Sequence, residues 1–438
     1  MKPYPSYKPS GVQWLGNVPG HWQVIPLRYL SRGVKTGGTP VQEAFVDKQS
    51  EWAVPWYAPA DLRDFFLTDS SRIVATEHRS DIDVFAPGTI ALVGIGDVGR
   101  VAILTVEGTG NQQLNFIRPV DGVASNFLTY ALMAGQEFVR SRANVTLIPI
   151  LNQENTKRLR FAVPPPDEQQ AIAGYLDVEN SRIDTLIREK DELIGLLQEW
   201  RHSVIAEYTS GVTQPQDKKA TSNVHVPWIP LDWSMVRLGK YARIGNGSTP
   251  LKDNASYWED GTFPWLNSAV VNRDVVDEGS EYVTDVALRA CHLPIVEPGA
   301  VLVALTGQGK TRGRVTVLRI QATINQHLAY LALDETRFDS NFVFWSLTGM
   351  YAALRMVSDG QGGTKGALTC DDLARFEVPM PLLHVQQEIA KAISSETAKI
   401  DDLIAHTNDE ITLLKELRAA TISDAVLGRI DVRTATLQ

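Results

Sequence analysis

Two glycine-rich runs are the residues best suited to hold a phosphate. Gly94-Ile95-Gly96-Asp97-Val98-Gly99 matches the dinucleotide-binding fingerprint letter for letter. That fingerprint works only where the turn opens a helix whose N-terminus takes the pyrophosphate. Here Val101-Ala102-Ile103-Leu104-Thr105-Val106 follows, a strand pattern, so the run predicts a hairpin loop. Gly307-Gln308-Gly309-Lys310-Thr311 has the look of a phosphate loop, but the first glycine it needs would stand at Ala304. It too predicts a plain loop. The eight histidines lie apart, and Cys291-His292 has no further ligands at metal-binding spacing. An Asn/Asp-Pro-Pro-Tyr/Phe element, which grips an extruded base in amino-methyltransferases, is missing, since Pro164-Pro165-Pro166 lacks the polar residue and the aromatic. No Asp/Glu-Lys constellation has nuclease spacing. Chemistry of its own is not expected of this chain.

Residues suited to recognition remain. Base edges are read by Arg, Lys, Asn, Gln, Ser or Thr on loops that reach the major groove. Candidates in the second half are Gln308, Lys310, Thr311, Arg312 and Arg314, with Gln361, Thr364 and Lys365 in a second glycine-flanked run. The first half offers Arg100, Arg140, Arg142, Asn144 and Thr146. Solvated loop charge is the competing reading of each. Thr39 and Thr249 read as turn closers, and Trp56, Tyr57 and Trp265 as core.

Two long helices must position these loops. Pro164 to Gly211 and Pro379 to Gly428 are copies of one design: Gln169 and Gln386, Ile172 and Ile389, Ile183-Asp184 and Ile400-Asp401, and Gly211 and Gly428 are each 217 residues apart. Three prolines forbid helix before Asp167, and Asp167 and Glu168 then put negative charge at a positive helix end. Apolar or aliphatic-stemmed positions recur at Ile172, Leu176, Ile183, Leu186, Lys190, Leu193, Leu197, Trp200 and Val204, the spacing of a coiled-coil seam. The second copy gives Ile389, Ile393, Ile400, Leu403, Leu414 and Leu417. A helix of about 42 residues is roughly 60 Å long, and its stripe needs a partner. The two copies are expected to pack on each other, antiparallel.

Each helix closes a globular block, and the blocks repeat. Trp14-Leu15-Gly16-Asn17-Val18-Pro19-Gly20-His21-Trp22 answers to Trp228-Ile229-Pro230-Leu231-Asp232-Trp233, and Gly37-Gly38-Thr39-Pro40 to Gly247-Ser248-Thr249-Pro250. Val54-Pro55-Trp56-Tyr57 pairs with Phe263-Pro264-Trp265-Leu266, and Asn111-Gln112 with Asn325-Gln326. Short β-rich runs at 89–93, 101–106, 301–305, 314–318 and 328–333, with helices over 126–138 and 341–355, predict an α+β block with a mostly antiparallel or mixed sheet. The chain thus divides into block one (1–163), a central helix (164–213), block two (214–378) and a C-terminal helix (379–438).

With 438 residues, 44% hydrophobic and 21% charged, the chain is long enough for two or three cored domains. The absence of any run of eighteen apolar residues or of a signal core at Met1-Lys2-Pro3-Tyr4-Pro5 predicts neither membrane spans nor secretion. Two cysteines fit a reducing cytoplasm. The net charge of −9 is concentrated in the helices: residues 164–213 carry 4 basic and 10 acidic side chains, while 1–163 is net +2 and 214–378 net −2. Charge therefore neither supports nor excludes DNA binding, and an isolated chain would neutralise few phosphates.

Paired variable blocks, each opened by Trp and Gly-x-Thr-Pro or Ser-Thr-Pro, resemble the specificity subunits of type I restriction-modification systems. So does their closure by Pro-Pro-Asp-Glu-Gln-Gln-Ala-Ile (165–172) or a variant. The likeness runs from Trp14 to Gly428; the second closing motif departs from it, with His384-Val385 where acidic residues are usual. The resemblance implies an α+β protein: two tandem pseudo-repeated target-recognition domains separated by two long antiparallel coiled-coil helices. Each domain would read one half of a split, asymmetric double-stranded DNA sequence. The helices would fix the spacer and dock two methylation subunits, and restriction/translocase subunits would join the full complex. S-adenosylmethionine and ATP with Mg would sit on those partners, none on this subunit, and no membrane is implied. Outward glutamates of the long helix, Glu189, Glu192 and Glu199, are the candidates for the partner surface. The alternative is a coiled-coil adaptor whose blocks bind protein.

Overall fold

The computed structural model describes residues 2–47, 53–75, 82–145, 148–214, 216–307, 309–359 and 366–434. Its main helices are α1 (Ser125–Ala134), α2 (Pro166–Ser210), α3 (Ser340–Gly349) and α4 (Leu383–Val426). The chain forms two compact units, 1–190 with 409–438 and 191–408. Each unit therefore takes half of both long helices.

The first unit is built on a five-stranded sheet of β1 (Ser31–Thr36), β2 (Phe66–Leu67), β3 (Ile90–Val93), β4 (Val101–Leu104) and β5 (Leu114–Pro119). The order is β1-β5-β3-β4-β2, antiparallel except where β4 meets β2. β3 and β4 are buried on both faces, which is why they read as continuous apolar runs. Ile90, Leu92, Val101 and Ile103 join the core under α1, while Ala91, Val93, Ala102 and Leu104 face a second cluster with Tyr57 and Phe116. Ile172, Ala173 and Leu176 of α2 and Ile422, Ala425 and Val426 of α4 enter the same core as α1.

The second unit repeats this sheet with β6 (Ala242–Asn246), β7 (Val275–Val276), β8 (Val301–Ala304), β9 (Val315–Leu318) and β10 (Leu328–Leu333). Its order, β6-β10-β8-β9-β7, is the same, again with one parallel edge pair. α3 covers one face, and Ile205 of α2 with Ile389, Ala390 and Ile393 of α4 completes that core. The mixed α+β block expected from sequence is present twice. Each predicted block helix is, however, broken in two, continuing as 136–141 after Gly135 and as 351–359 after Met350.

The helix halves run antiparallel within each unit. In the first, Asp184 pairs with Arg418 and Lys190 with Glu410, so numbers rise on one helix as they fall on the other. In the second, Arg201 Nε donates to Asp401 at 2.9 Å, 217 residues from the first pair at both ends. The seam departs from the heptad reading. Ile183, Leu197, Ile205, Ile400, Thr407 and Ile411 are buried, whereas Leu193, Trp200, Leu403 and Leu417 are exposed. A 3.5-residue stripe drifts about 20° per heptad against a 3.6-residue helix, so positions that start on the seam walk off it.

Two repeated residues lock each helix to its block. Gln169, buried, accepts from Ala124 N and donates to Pro164 O and Gly122 O. Gln386 accepts from Asp339 N and donates to Arg337 O and Pro381 O. At the far ends, Gly211 and Gly428 hold φ of 73° and 67°. A Cβ there would lie 2.6 Å from Pro230 Cδ and 2.4 Å from Pro19 Cγ respectively.

Candidate nucleic-acid interface

In the first unit Gly94–Arg100 is the turn of the β3–β4 hairpin, as the strand pattern after it required. Gly96 and Gly99 stand at φ 85° and 98°, a region that favours glycine. The loop is held from the side. Arg140 donates from Nε to Val98 O at 2.9 Å and from Nη2 to Asp97 at 2.6 Å. Arg100 donates to Leu62 O and lies 3.6 Å from the same Asp97. It lines a groove of about 890 Å³ with Arg63, Tyr130, Asp177, Arg188 and Arg418. Tyr130 donates to Asp177 at 2.7 Å, and burial followed by that carboxylate pushes its phenol well up. Arg142 lies over the Phe138 ring, and Asn144 pairs with Ile150 in a short ribbon whose Pro149 O accepts from Gly96 N. The structure thus brings Arg100, Arg140, Arg142 and Asn144 around one glycine hairpin. Thr146 lies outside the described residues.

The second unit has the same plan with different chemistry. The loop between β8 and β9 carries Lys310, Thr311, Arg312 and Arg314, while Gln308, Gln361, Thr364 and Lys365 lie outside the described residues. Arg355, in the second piece of the broken helix and 215 residues after Arg140, donates to Gly309 O and so does for this loop what Arg140 does for the other. Sequence reading passed over it because only its place in the repeat marks it. Tyr351 donates to Lys310 O at 2.9 Å. Arg312 is only 6% exposed and donates to Gly366 O at 2.5 Å, tying two loops together. Arg312 is thus not the solvated loop charge of the competing reading, because a loop carbonyl takes its guanidinium inside the fold. Arg314 donates to Asn272 at 2.8 Å.

Beside each hairpin the repeated Gly-x-Thr-Pro and Asn-Gln segments meet. Thr39 donates to Gln112 and Thr249 to Gln326, both at 2.6 Å and both exposed. Trp56 and Trp265 are buried, as the sequence indicates, and their indole N–H groups hold Gly38 O at 2.9 Å and Ser248 O at 3.1 Å.

On the long helices Glu189, Glu192 and Glu199 are exposed. Apolar side chains beside them escaped sequence reading because they were assigned to the seam or left unassigned. Leu196 and Trp200 are exposed in the second unit, and their copies 217 residues on, Leu413 and Leu417, are exposed in the first. Among the described residues no group of three or more His, Cys, Asp or Glu side chains is placed to hold a metal ion, and no helix is long and apolar enough to cross a membrane.

Comparison with known proteins gives a consistent result. A family model described as the type I restriction modification DNA specificity domain matches residues 19–194 and again 230–413. The type I restriction enzyme MjaIX specificity subunit of Methanocaldococcus jannaschii is 23% identical over 428 residues, 95% of each chain. The EcoDI specificity subunit of Escherichia coli is 22% identical over 444 residues, 95% of this chain and 90% of that one. Among solved structures, a chain from work on assembly and conformational transition of the type I R-M system superposes with a TM-score of 0.67 at 15% identity. That superposition covers 94% of this chain and 99% of that one. The HsdS subunit of Thermoanaerobacter tengcongensis gives 0.53 at 16% identity, covering 94% and 98%.

Proposed function

The chain belongs to the type I restriction-modification DNA specificity family, whose members are non-catalytic recognition subunits, and on that premise we propose that it reads a bipartite, asymmetric DNA target. Each unit takes one half-site. The observation that carries this reading is the repeated sheet: one strand order, used twice, carries hairpin loops of unlike composition at the same place. A shared scaffold with different loops suits two readers of different half-sites better than one site made twice. Arg100, Arg140, Arg142, Asn144 and Thr146 would serve one half, and Gln308, Lys310, Thr311, Arg312, Arg314, Gln361, Thr364 and Lys365 the other. The pins on Arg100, Arg140 and Arg312 make these three holders of loop shape more than base readers, since each guanidinium already donates to a loop carbonyl.

Two methylation subunits dock on the long helices in this proposal, one on each half. The exposed pairs Leu196/Trp200 and Leu413/Leu417 support it, because equivalent apolar faces at a 217-residue repeat fit two copies of one partner. Glu189, Glu192 and Glu199 would rim them. Restriction/translocase subunits join the full cytoplasmic complex, and S-adenosylmethionine and ATP with Mg belong to the partners. The protein-binding adaptor is not favoured.

The test is long-read mapping of DNA methylation in a host carrying this gene with its methylation partner, against the same host lacking it. A split, asymmetric motif that vanishes with the gene is expected. An unchanged methylome, with the partner active, would overturn the reading.

A further inference from the structure

Two readers of different half-sites have only the sugar-phosphate backbone in common to touch. An exposed polar feature that both units keep, in one geometry, is therefore matched to the backbone and not to the bases. This inference rests on the DNA reading above. The threonine–glutamine pair beside each hairpin meets the description.

The loop after β1 and the loop after β6 pass so close to a neighbouring segment that only glycine fits. A Cβ on Gly37 would lie 2.1 Å from Gly110 O, and one on Gly247 1.7 Å from Ile324 O. Buried Asn111 and Asn325 each accept a backbone N–H two residues on at 3.0 Å, a turn that leaves the intervening Gln112 and Gln326 on the surface. Thr39 and Thr249 then donate to the glutamine carbonyl oxygens, which turns each amide NH2 away from the threonine; that of Gln326 lies 3.4 Å from exposed His327 Nε2.

These bonds are not needed to hold the loops. Gly37 N and Gly38 N already donate to Leu114 O and Gly110 O, Gly247 N donates to Asn325 O, and the tryptophans clamp Gly38 O and Ser248 O. Exposed neutral pairs add little stability. A cation also lies over each clamping ring: Arg72 at 5.6 Å from the Trp56 centroid and Lys252 at 4.7 Å from that of Trp265. The two cations come from different places in their repeats, and Lys252 is also paired with the Glu281 carboxylate, so it is the ring contact that recurs although the sequence around it does not.

We propose that Thr39–Gln112 and Thr249–Gln326 are equivalent, sequence-independent anchors, each presenting an oriented amide to a DNA phosphodiester. Such contacts set register and orientation while the hairpin loops read bases.

The test uses the full-length chain assembled with its methylation partner. Binding to the methylated motif's unmodified duplex and to a scrambled duplex is followed across salt. Gln112→Glu and Gln326→Glu place a carboxylate against the phosphate and should each weaken both duplexes by a similar factor, about tenfold. Gln112→Lys should tighten both and steepen the salt dependence by about one ion, a gain that misfolding cannot mimic. Loss confined to the specific duplex would overturn the anchor in favour of base reading. Unchanged binding in all three variants, with the wild type binding normally, would overturn the anchor and leave the DNA reading intact. Failure of the wild-type complex to bind either duplex would remove both.

Discussion

Replacing Gln386 by leucine should loosen one unit and spare the other. The amide is 0% exposed and makes three backbone bonds, from Asp339 N at 2.9 Å and to Arg337 O at 2.8 Å and Pro381 O at 2.9 Å. Those bonds join the start of α3 to the start of α4, since Asp339 also caps α3 through Phe342 N. Leucine can replace none of them. Each lost bond costs about 1 kcal/mol net, and a buried N–H left without a partner adds about 1–3 kcal/mol. The total is about 4–6 kcal/mol. At about 2–4 °C per kcal/mol for a unit of this size, the affected transition should fall by about 8–24 °C. Hydrogen exchange on the full chain locates the damage: amides of 337–349 and 383–393 should exchange faster, and those of 122–134 and 166–176 should not. Gln169→Leu should give the mirror pattern and a smaller shift, because its bond to Gly122 O is long at 3.3 Å. A transition within about 2 °C of the wild type, or the same exchange map for both variants, would refute the view that these glutamines lock separate units.

Gly211→Ala and Gly428→Ala each combine positive φ with a Cβ inside van der Waals contact of a proline, so each should cost about 2–4 kcal/mol by chemical denaturation. Trp200→Glu and Leu417→Glu should leave the isolated subunit folded and lower its affinity for the methylation subunit about tenfold each or more, read by titration; unaltered assembly would remove these faces from the proposal. Near the C-terminal end Asp431 N donates to Lys2 O at 2.9 Å, while its carboxylate accepts from Arg433 Nη2 at 2.7 Å and Nε at 2.8 Å and is held below the usual carboxylate range by it. A lowered folded-state pKa contributes stability above the unfolded value of about 3.9 and loses it as pH falls further. Exchange protection of residues 428–433 should therefore persist at pH 5 and decay only below about pH 4; decay already near pH 6 would contradict it.

The 217-residue repeat, the two long helices, the short β-rich runs and the hairpin nature of Gly94–Gly99 were legible in the sequence. All rest on local rules: proline stops, apolar periodicity and the identity of the segment after a turn. The family resemblance rode on the same repeats. What the sequence could not show is where each repeat is completed. α4 ends in the core of the first unit, with Ile422 and Val426 beside Leu176, and Ile205 of α2 ends in the core of the second. Only packing decides that exchange, because an apolar stripe specifies burial and not a partner. The register error at Leu193, Trp200 and Leu417 has the same origin: a 3.5-residue and a 3.6-residue stripe look alike over two turns and diverge over six. The polar residues were harder still. Arg312 and Lys310 are near neighbours in one basic run, yet one is buried against Gly366 O and the other lies on the surface. The Thr39–Gln112 bond joins residues 73 positions apart. Composition names the donors, and only the tertiary fold decides which of them remain to face a ligand.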